Sequence, residues 1–324
     1  MVMKWTRAFA PPAFGSVRGL RVLLGAALAL LVATGAPAQT AATFIGEKAC
    51  IDCHGQENRH FTDTVHAKAF RANPRNDRER QVCESCHGPG SLHAKKTADR
   101  TLIISFTKKW GTPLAQQNEA CHSCHQGGNR LHWPGSVHAG QQLGCADCHN
   151  PMARVSFTGS LAKPTINETC MTCHPQQRNE FSKRSHMPLL EGKMSCVDCH
   201  NPHGSATKPL LKAESVNTVC TSCHAEKRGP LLWEHAPVRE SCMNCHSPHG
   251  SNHDKLLVSA RPQLCQQCHS PSVGHPGQFF RADQTAAAAL VGGVPSQRTI
   301  GRSCQNCHSM IHGSNHPAGA RLQR

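Results

Sequence analysis

All 20 cysteines of the chain stand in Cys-x-x-Cys-His units, and none is left over. The first thiols are Cys50, Cys83, Cys121, Cys145, Cys170, Cys196, Cys220, Cys242, Cys265 and Cys304. The second thiols are Cys53, Cys86, Cys124, Cys148, Cys173, Cys199, Cys223, Cys245, Cys268 and Cys307. The units close on His54, His87, His125, His149, His174, His200, His224, His246, His269 and His308. This unit is the attachment signature of c-type heme. Its two thiols add to the heme vinyl groups, and the adjacent imidazole is placed beneath the iron as proximal ligand. Disulfides do not require a histidine after every second cysteine. Zinc ribbons do not need ten histidines in register, and a redox Cys-x-x-Cys occurs once rather than ten times. The expected cofactors are therefore ten covalently bound c-type hemes.

Ten of the 24 histidines are proximal, leaving 14. A six-coordinate iron needs one further ligand each. The spacing resolves into five diheme repeats, at about 50–93, 121–152, 170–203, 220–249 and 265–312. Each has a first motif, a middle histidine, a second motif and a closing position. The middle histidines are His66, His138, His186, His235 and His275; the closing ones are His93, His203, His249 and His312. These nine are the candidate sixth ligands.

The second repeat lacks a closing histidine. It reads CADCHNPMA where its neighbours read CVDCHNPHG and CMNCHSPHG, so Met152 stands in the place of His203 and His249. A thioether is a competent heme ligand, and His/Met ligation raises the potential relative to bis-His. Either Met152 is the tenth sixth ligand, or it is a packing residue and His132 supplies the ligand. The spare histidines are His60, His122, His132, His253 and His316. His122 lies inside a motif and is expected to face outward. His253 and His316 each follow a closing histidine by four residues and could replace His249 and His312.

The elements that position these ligands should be short. Gly, Pro and Asn crowd the motifs, which favours turns. Short helices are expected to carry the Cys-x-x-Cys-His units, and one clearer helix is read over 283–291, capped by Asp283 and stopped by Gly292-Gly293. No strand alternation stands out. The fold class is a multiheme cytochrome c, a mostly irregular chain with short α-helices around an elongated stack of ten hemes and little or no β-sheet.

The N-terminus reads as a secretory signal peptide over 1–38. Lys4, Arg7, Arg18 and Arg21 precede an apolar run from Val22 to Gly35 and a small-x-small site at Ala36-Pro37-Ala38. The run is too short for a transmembrane anchor, which needs roughly 20 apolar residues. Cleavage leaves the cytochrome domain 39–324, with no transmembrane helix of its own, poor in apolar residues and without tyrosine. The expectation is that hemes supply the missing core, with covalent attachment and axial ligation as staples.

The formal charge of +15 invites a nucleic-acid partner. Removing the signal's four cations leaves +11, and the propionates of ten hemes offset most of the remainder. The basic excess is compensation for cofactor charge, and no nucleic-acid partner is expected.

The stretches RGPLLWEHAPVRESCMNCHSPHGSNHDKLL (228–257) and GRSCQNCHSMIHGSNHP (301–317) resemble the periplasmic decaheme c-type cytochromes of the MtrA/DmsE family, PioA and MtoA relatives included. The resemblance covers nearly the whole mature chain. It implies electron transfer by an outer-membrane-associated periplasmic protein, a β-barrel porin as partner, and exchange with periplasmic and outer-surface cytochromes or extracellular metal. A soluble electron donor to a terminal reductase, such as dimethyl sulfoxide reductase, is the alternative. A multiheme enzyme is not expected: there is no Cys-x-x-Cys-Lys motif, no tyrosine for a crosslink, and spare histidines outnumber open irons.

Overall fold

The computed structural model of the chain describes residues 41–269, 303–317 and 319–323. The expected leader at 1–38, His275 and the expected helix at 283–291 lie outside the described residues. Contacts divide the chain into Met1–Ala41 and Ala42–Arg324, and the architecture below is that of the second unit.

Among the described residues there are short helices joined by turns, and the only β pairing is five isolated bridges. The expected fold class, short helices without a sheet, is what forms. No described helix is long and apolar enough to cross a membrane.

The first motif of each repeat begins at the end of a helix. Cys50, Cys121, Cys170, Cys220 and Cys265 lie in the helices Glu47–Ile51, Leu114–His122, Ile166–Met171, Val216–Thr221 and Gln263–Gln266. Two of these are started by side-chain caps. Thr165 accepts from the Glu168 amide within a capping box, and Ser215 accepts from the Thr218 amide. The second motifs are single turns: α-helical at Glu84–His87 and Cys145–Cys148, 3-10 at Cys196–Asp198, Cys242–Asn244 and Cys304–Asn306.

A conventional core is nearly absent. The buried apolar side chains form one small cluster of Phe61, Ala67 and Val82, with Phe70, Cys83 and Met152 packed against it. Elsewhere they are scattered singles such as Phe181, Leu189, Leu211 and Leu257. A chain of this length normally buries a far larger apolar set. The shortage foreseen in the composition is thus visible in the packing.

Candidate heme sites

Each motif is one helical turn. The backbone N–H of all ten proximal histidines donates to the carbonyl of the first cysteine four residues earlier, at 2.9–3.1 Å. That turn presents two thiols and an imidazole to the same side. All 20 thiols are free of disulfides. A chelating cluster is absent among the described residues, which hold no group of three or more His, Cys, Asp or Glu able to grip a bare ion. Free thiol pairs beside single imidazoles suit a porphyrin that brings its own iron and four ligands.

The second-motif imidazoles are oriented by the backbone. Nδ1 of His87, His149, His200, His246 and His308 donates to the carbonyls of Ile104, Gly159, Pro209, Lys255 and Arg321, at 2.6–2.8 Å. Fixing the proton on Nδ1 leaves the Nε2 lone pair for a metal. The acceptor comes from a loop that closes back on the motif, through the bridges His149–Leu161, His200–Leu211 and His246–Leu257.

The chain also brings imidazoles together in pairs. Metal–imidazole bonds are about 2 Å long, so two rings trans across one iron have centroids about 6.3 Å apart. Seven pairs of rings stand at 5.9–6.4 Å: His54–His93, His66–His125, His138–His174, His149–His203, His200–His249, His235–His269 and His246–His312. Each pair joins one proximal histidine to one of the expected sixth ligands. Burial lowers the pKa of His66, His125, His203, His235 and His312, which keeps the ligating, neutral form at neutral pH.

The pairing crosses repeat boundaries. Middle histidines reach the first motif of the next repeat, and closing histidines reach back to the second motif of the previous one. Only His54–His93 lies within a repeat. The structure thus places His249 and His312 against proximal imidazoles, those of His200 and His246.

His87, His224 and His308 have no second imidazole at that distance among the described residues. The register points His186 at His224, but its ring is turned otherwise. Its Nε2 lies 2.9 Å from Glu191 and its Nδ1 2.6 Å from the Lys183 carbonyl, and the Glu191 hydrogen bond raises its pKa. The register points the second-repeat closing residue, Met152, at His87. Met152 packs against the cluster of Phe61, Ala67 and Val82, as does Cys83, the first thiol of the His87 motif. Trp133 touches His203 and Phe181 touches His249, at ring distances of 6.4 and 5.3 Å. Phe61, Trp133 and Phe181 each stand five residues before a middle histidine. Met152 therefore rests on a cluster that holds the corresponding aromatic, Phe61. His132 is exposed, with its backbone against Gly204. His122 departs from expectation. It is half-buried, with its Nε2 out of solvent.

Two further residue sets hold the motifs together, and neither stood out in the sequence. Asn118, Asn167 and Asn217 each precede a first motif by three residues, and their Oδ1 accepts from the first backbone amide of the partner motif, at Cys145, Cys196 and Cys242. The Nδ2 of Asn217 also donates to the carbonyls of Val238 and Arg239, both at 3.0 Å. Replacing Asn217 by alanine removes three hydrogen bonds and should cost about 2–3 kcal/mol. Thermal unfolding of the holoprotein should fall by roughly 5–10 °C, with exposed Asn252→Ala as the silent control.

The thiols complete the order. Within each repeat the two first thiols interact: Cys50 with Cys83, Cys121 with Cys145, Cys170 with Cys196, Cys220 with Cys242, and Cys265 with Cys304. Burial first, and then the neighbouring Cys50, pushes the Cys83 thiol up to about 12. Between repeats the second thiols approach: Cys86 and Cys124, Cys148 and Cys173, Cys199 and Cys223, Cys245 and Cys268. The motifs follow one another in a single file.

The comparisons with known proteins agree. The doubled CXXCH motif family matches residues 186–229 and 235–274, and the cytochrome c-type protein NrfB-like family matches 83–164. The multiheme cytochrome MtrA of Shewanella baltica is 48% identical over 242 residues, spanning 75% of this chain and 70% of that protein. The chain belongs to the MtrA family of multiheme cytochromes. An undecaheme cytochrome from the S-layer of Carboxydothermus ferrireducens aligns at 20% identity with a TM-score of 0.17, over 75% of this chain and 32% of that one. As a member of the MtrA family the chain binds c-type hemes covalently and transfers electrons; it is not an enzyme. In this MtrA-type chain the residues' task would be to hold: the Cys-x-x-Cys-His cysteines would fix each heme through thioether bonds and the paired imidazoles would hold its iron. The heme supplies the one-electron chemistry.

Proposed function

We propose that the chain carries ten hemes in its ten motifs and conducts electrons between the periplasm and the cell exterior, seated in an outer-membrane β-barrel porin. The observation that carries this reading is the single file of motifs, in which neighbouring thiols lie within electrostatic reach of one another alternately within and between repeats from Cys50 to Cys304. Such an order serves end-to-end transport rather than storage at one site. The apolar side chains exposed along the chain, Phe157 at 91% and Leu131 and Leu232 near 70%, suit a protein sheath.

The same reading assigns the ligands. The seven imidazole pairs are bis-His sites, and Met152 is the sixth ligand of the His87 heme, on the strength of its packing on the cluster that holds Phe61 and that Cys83 also packs against. By register, His186 turns from Glu191 onto the His224 iron, and His275 remains for His308. The leader 1–38 carries the chain out of the cytoplasm.

The test is reconstitution. Co-expressed with an outer-membrane β-barrel porin of the kind that would sheathe it, the holoprotein should co-purify with the barrel. Vesicles bearing that complex should pass electrons from an external reductant to an enclosed redox dye, and vesicles with the barrel alone should not. A holoprotein that never associates with a barrel, yet reduces a periplasmic reductase directly, would establish the soluble-donor role instead.

A further inference from the structure

We infer that Glu180 is a positioning residue that lowers the potential of the His200/His249 heme, making the closing-ligand joints of the chain electronically unequal. The inference rests on the ligand assignment above. Three such joints share one geometry. The glycine after the closing histidine packs on backbone just before a middle histidine, closely enough that no side chain could stand there. A Cβ at Gly204 would lie 2.3 Å from the His132 carbonyl oxygen, and one at Gly250 would lie even closer to that of Glu180. A Cβ at Gly313 would lie 3.1 Å from the Trp233 carbonyl oxygen and nearer still to Leu231. The glycine's close approach is what brings the preceding histidine alongside the residue it rests on.

At one joint that residue carries a carboxylate. Oε2 of Glu180 lies 3.2 Å from Nδ1 of His249, with the Glu180 side chain only 22% exposed. The His249 and His200 ring centroids are 6.2 Å apart, and Nδ1 is taken by Glu180, which leaves Nε2 as the nitrogen free for a heme iron between them. The His249 Nδ1–H therefore donates to an anion while Nε2 addresses the iron. Other sixth ligands are treated differently. His138 and His235 donate Nδ1 to the neutral carbonyls of Pro202 and Ile311, and Nδ1 of His66 and of His93 has no partner. An imidazole that hydrogen-bonds a carboxylate is a more basic ligand. It favours the ferric state by electron donation, and the nearby negative charge adds to the effect. At the equivalent joint one repeat earlier the matching residue is His132, and His203 has no carboxylate beside it. Glu180 makes its heme a step in the file that an electron is less ready to occupy.

The decisive experiment is an EPR-monitored redox titration of the holoprotein. Glu180→Gln keeps shape and removes charge. It should move one heme's share of the titration to more positive potential, shift one low-spin signal and leave every heme low-spin. The transplant His132→Glu should produce the reciprocal negative shift for the His149/His203 heme, and it carries the test alone if Glu180→Gln fails to accumulate. Unchanged potentials in either variant overturn the role of Glu180. His249→Ala separates the two layers: it should convert one heme to high-spin, and failure to do so removes the ligand assignment rather than the tuning.

Discussion

Replacing Met152 by histidine should erase the near-infrared thioether-to-iron band of the ferric protein and lower the potential of the His87 heme by roughly 100 mV or more, a modest part of the roughly 0.8 V that axial ligands span. The wild-type protein should show that band at the intensity of one heme. The reason lies in the corresponding positions. Met152 packs on the cluster that holds Phe61, while His203 meets Trp133 and His249 meets Phe181 at the corresponding aromatics. The positions are not otherwise identical. Ala153 follows Met152, whereas glycine follows His203 and His249. At Gly204 and Gly250 a methyl group would drive into backbone, so the chain at Ala153 must run at a different depth. A long flexible thioether can reach where a short rigid ring cannot. Met152→His alone should leave a partly high-spin heme, and Met152→His with Ala153→Gly should restore a single low-spin bis-His population. His132→Ala should leave the band untouched. A wild-type spectrum without the band, or a band that survives in Met152→His, removes the assignment.

Gly250→Ala should be among the most damaging single methyl groups that can be added. Gly250 has φ +152°, a backbone region nearly closed to other residues, and its Cβ would collide with the Glu180 carbonyl oxygen. The joint would open, and with it the paired bonds between Ser185 and Ser251, at 2.9 and 2.7 Å. Two hydrogen bonds at about 1 kcal/mol each and backbone strain of about 1–3 kcal/mol sum to about 3–5 kcal/mol. His249 leaves with the loop, so one heme should turn high-spin in the ferric spectrum. Gly192→Ala is the control. Its φ is +70° and nothing lies within 4 Å of the added methyl, so it should bear strain alone and leave the spectrum unchanged. Equal losses in the two variants would mean that backbone strain, not the close approach, governs the joint.

These variants separate what local pattern dictates from what packing adds. The ten attachment turns were legible because Cys-x-x-Cys-His is a local unit: thiols and imidazole meet within one helical turn wherever it occurs. The poor core was legible because composition caps the apolar area a chain can bury, and the structure accordingly packs only Phe61, Ala67, Val82 and their few neighbours as a cluster. The five repeats and the candidate ligands are readings of spacing, and seven of those candidates stand beside a proximal imidazole in the structure. The Asn118, Asn167 and Asn217 clamps and the aromatics Phe61, Trp133 and Phe181 were not legible. An asparagine three residues before a cysteine is indistinguishable from any turn residue until its partner, some 25 residues away, is placed.

By itself the sequence determined the class of chemistry, covalent c-type heme binding through Cys-x-x-Cys-His units, and that Met152 breaks the pattern of closing histidines. Tertiary structure alone decided which ligand faces which motif. The sequence groups each motif with the histidines of its own repeat, yet all but one of the observed pairs reach across to a neighbouring repeat. The physical reason is that an axial partner must approach from the opposite side of the heme plane. A short turn holds its own histidine on one side, so the opposite side is reached by the next segment packed against it. Close-approach glycines and backbone bridges between repeats set that packing and with it the order of the file; the glycines recur after His203, His249 and His312, but the segment each one packs against is fixed only in three dimensions.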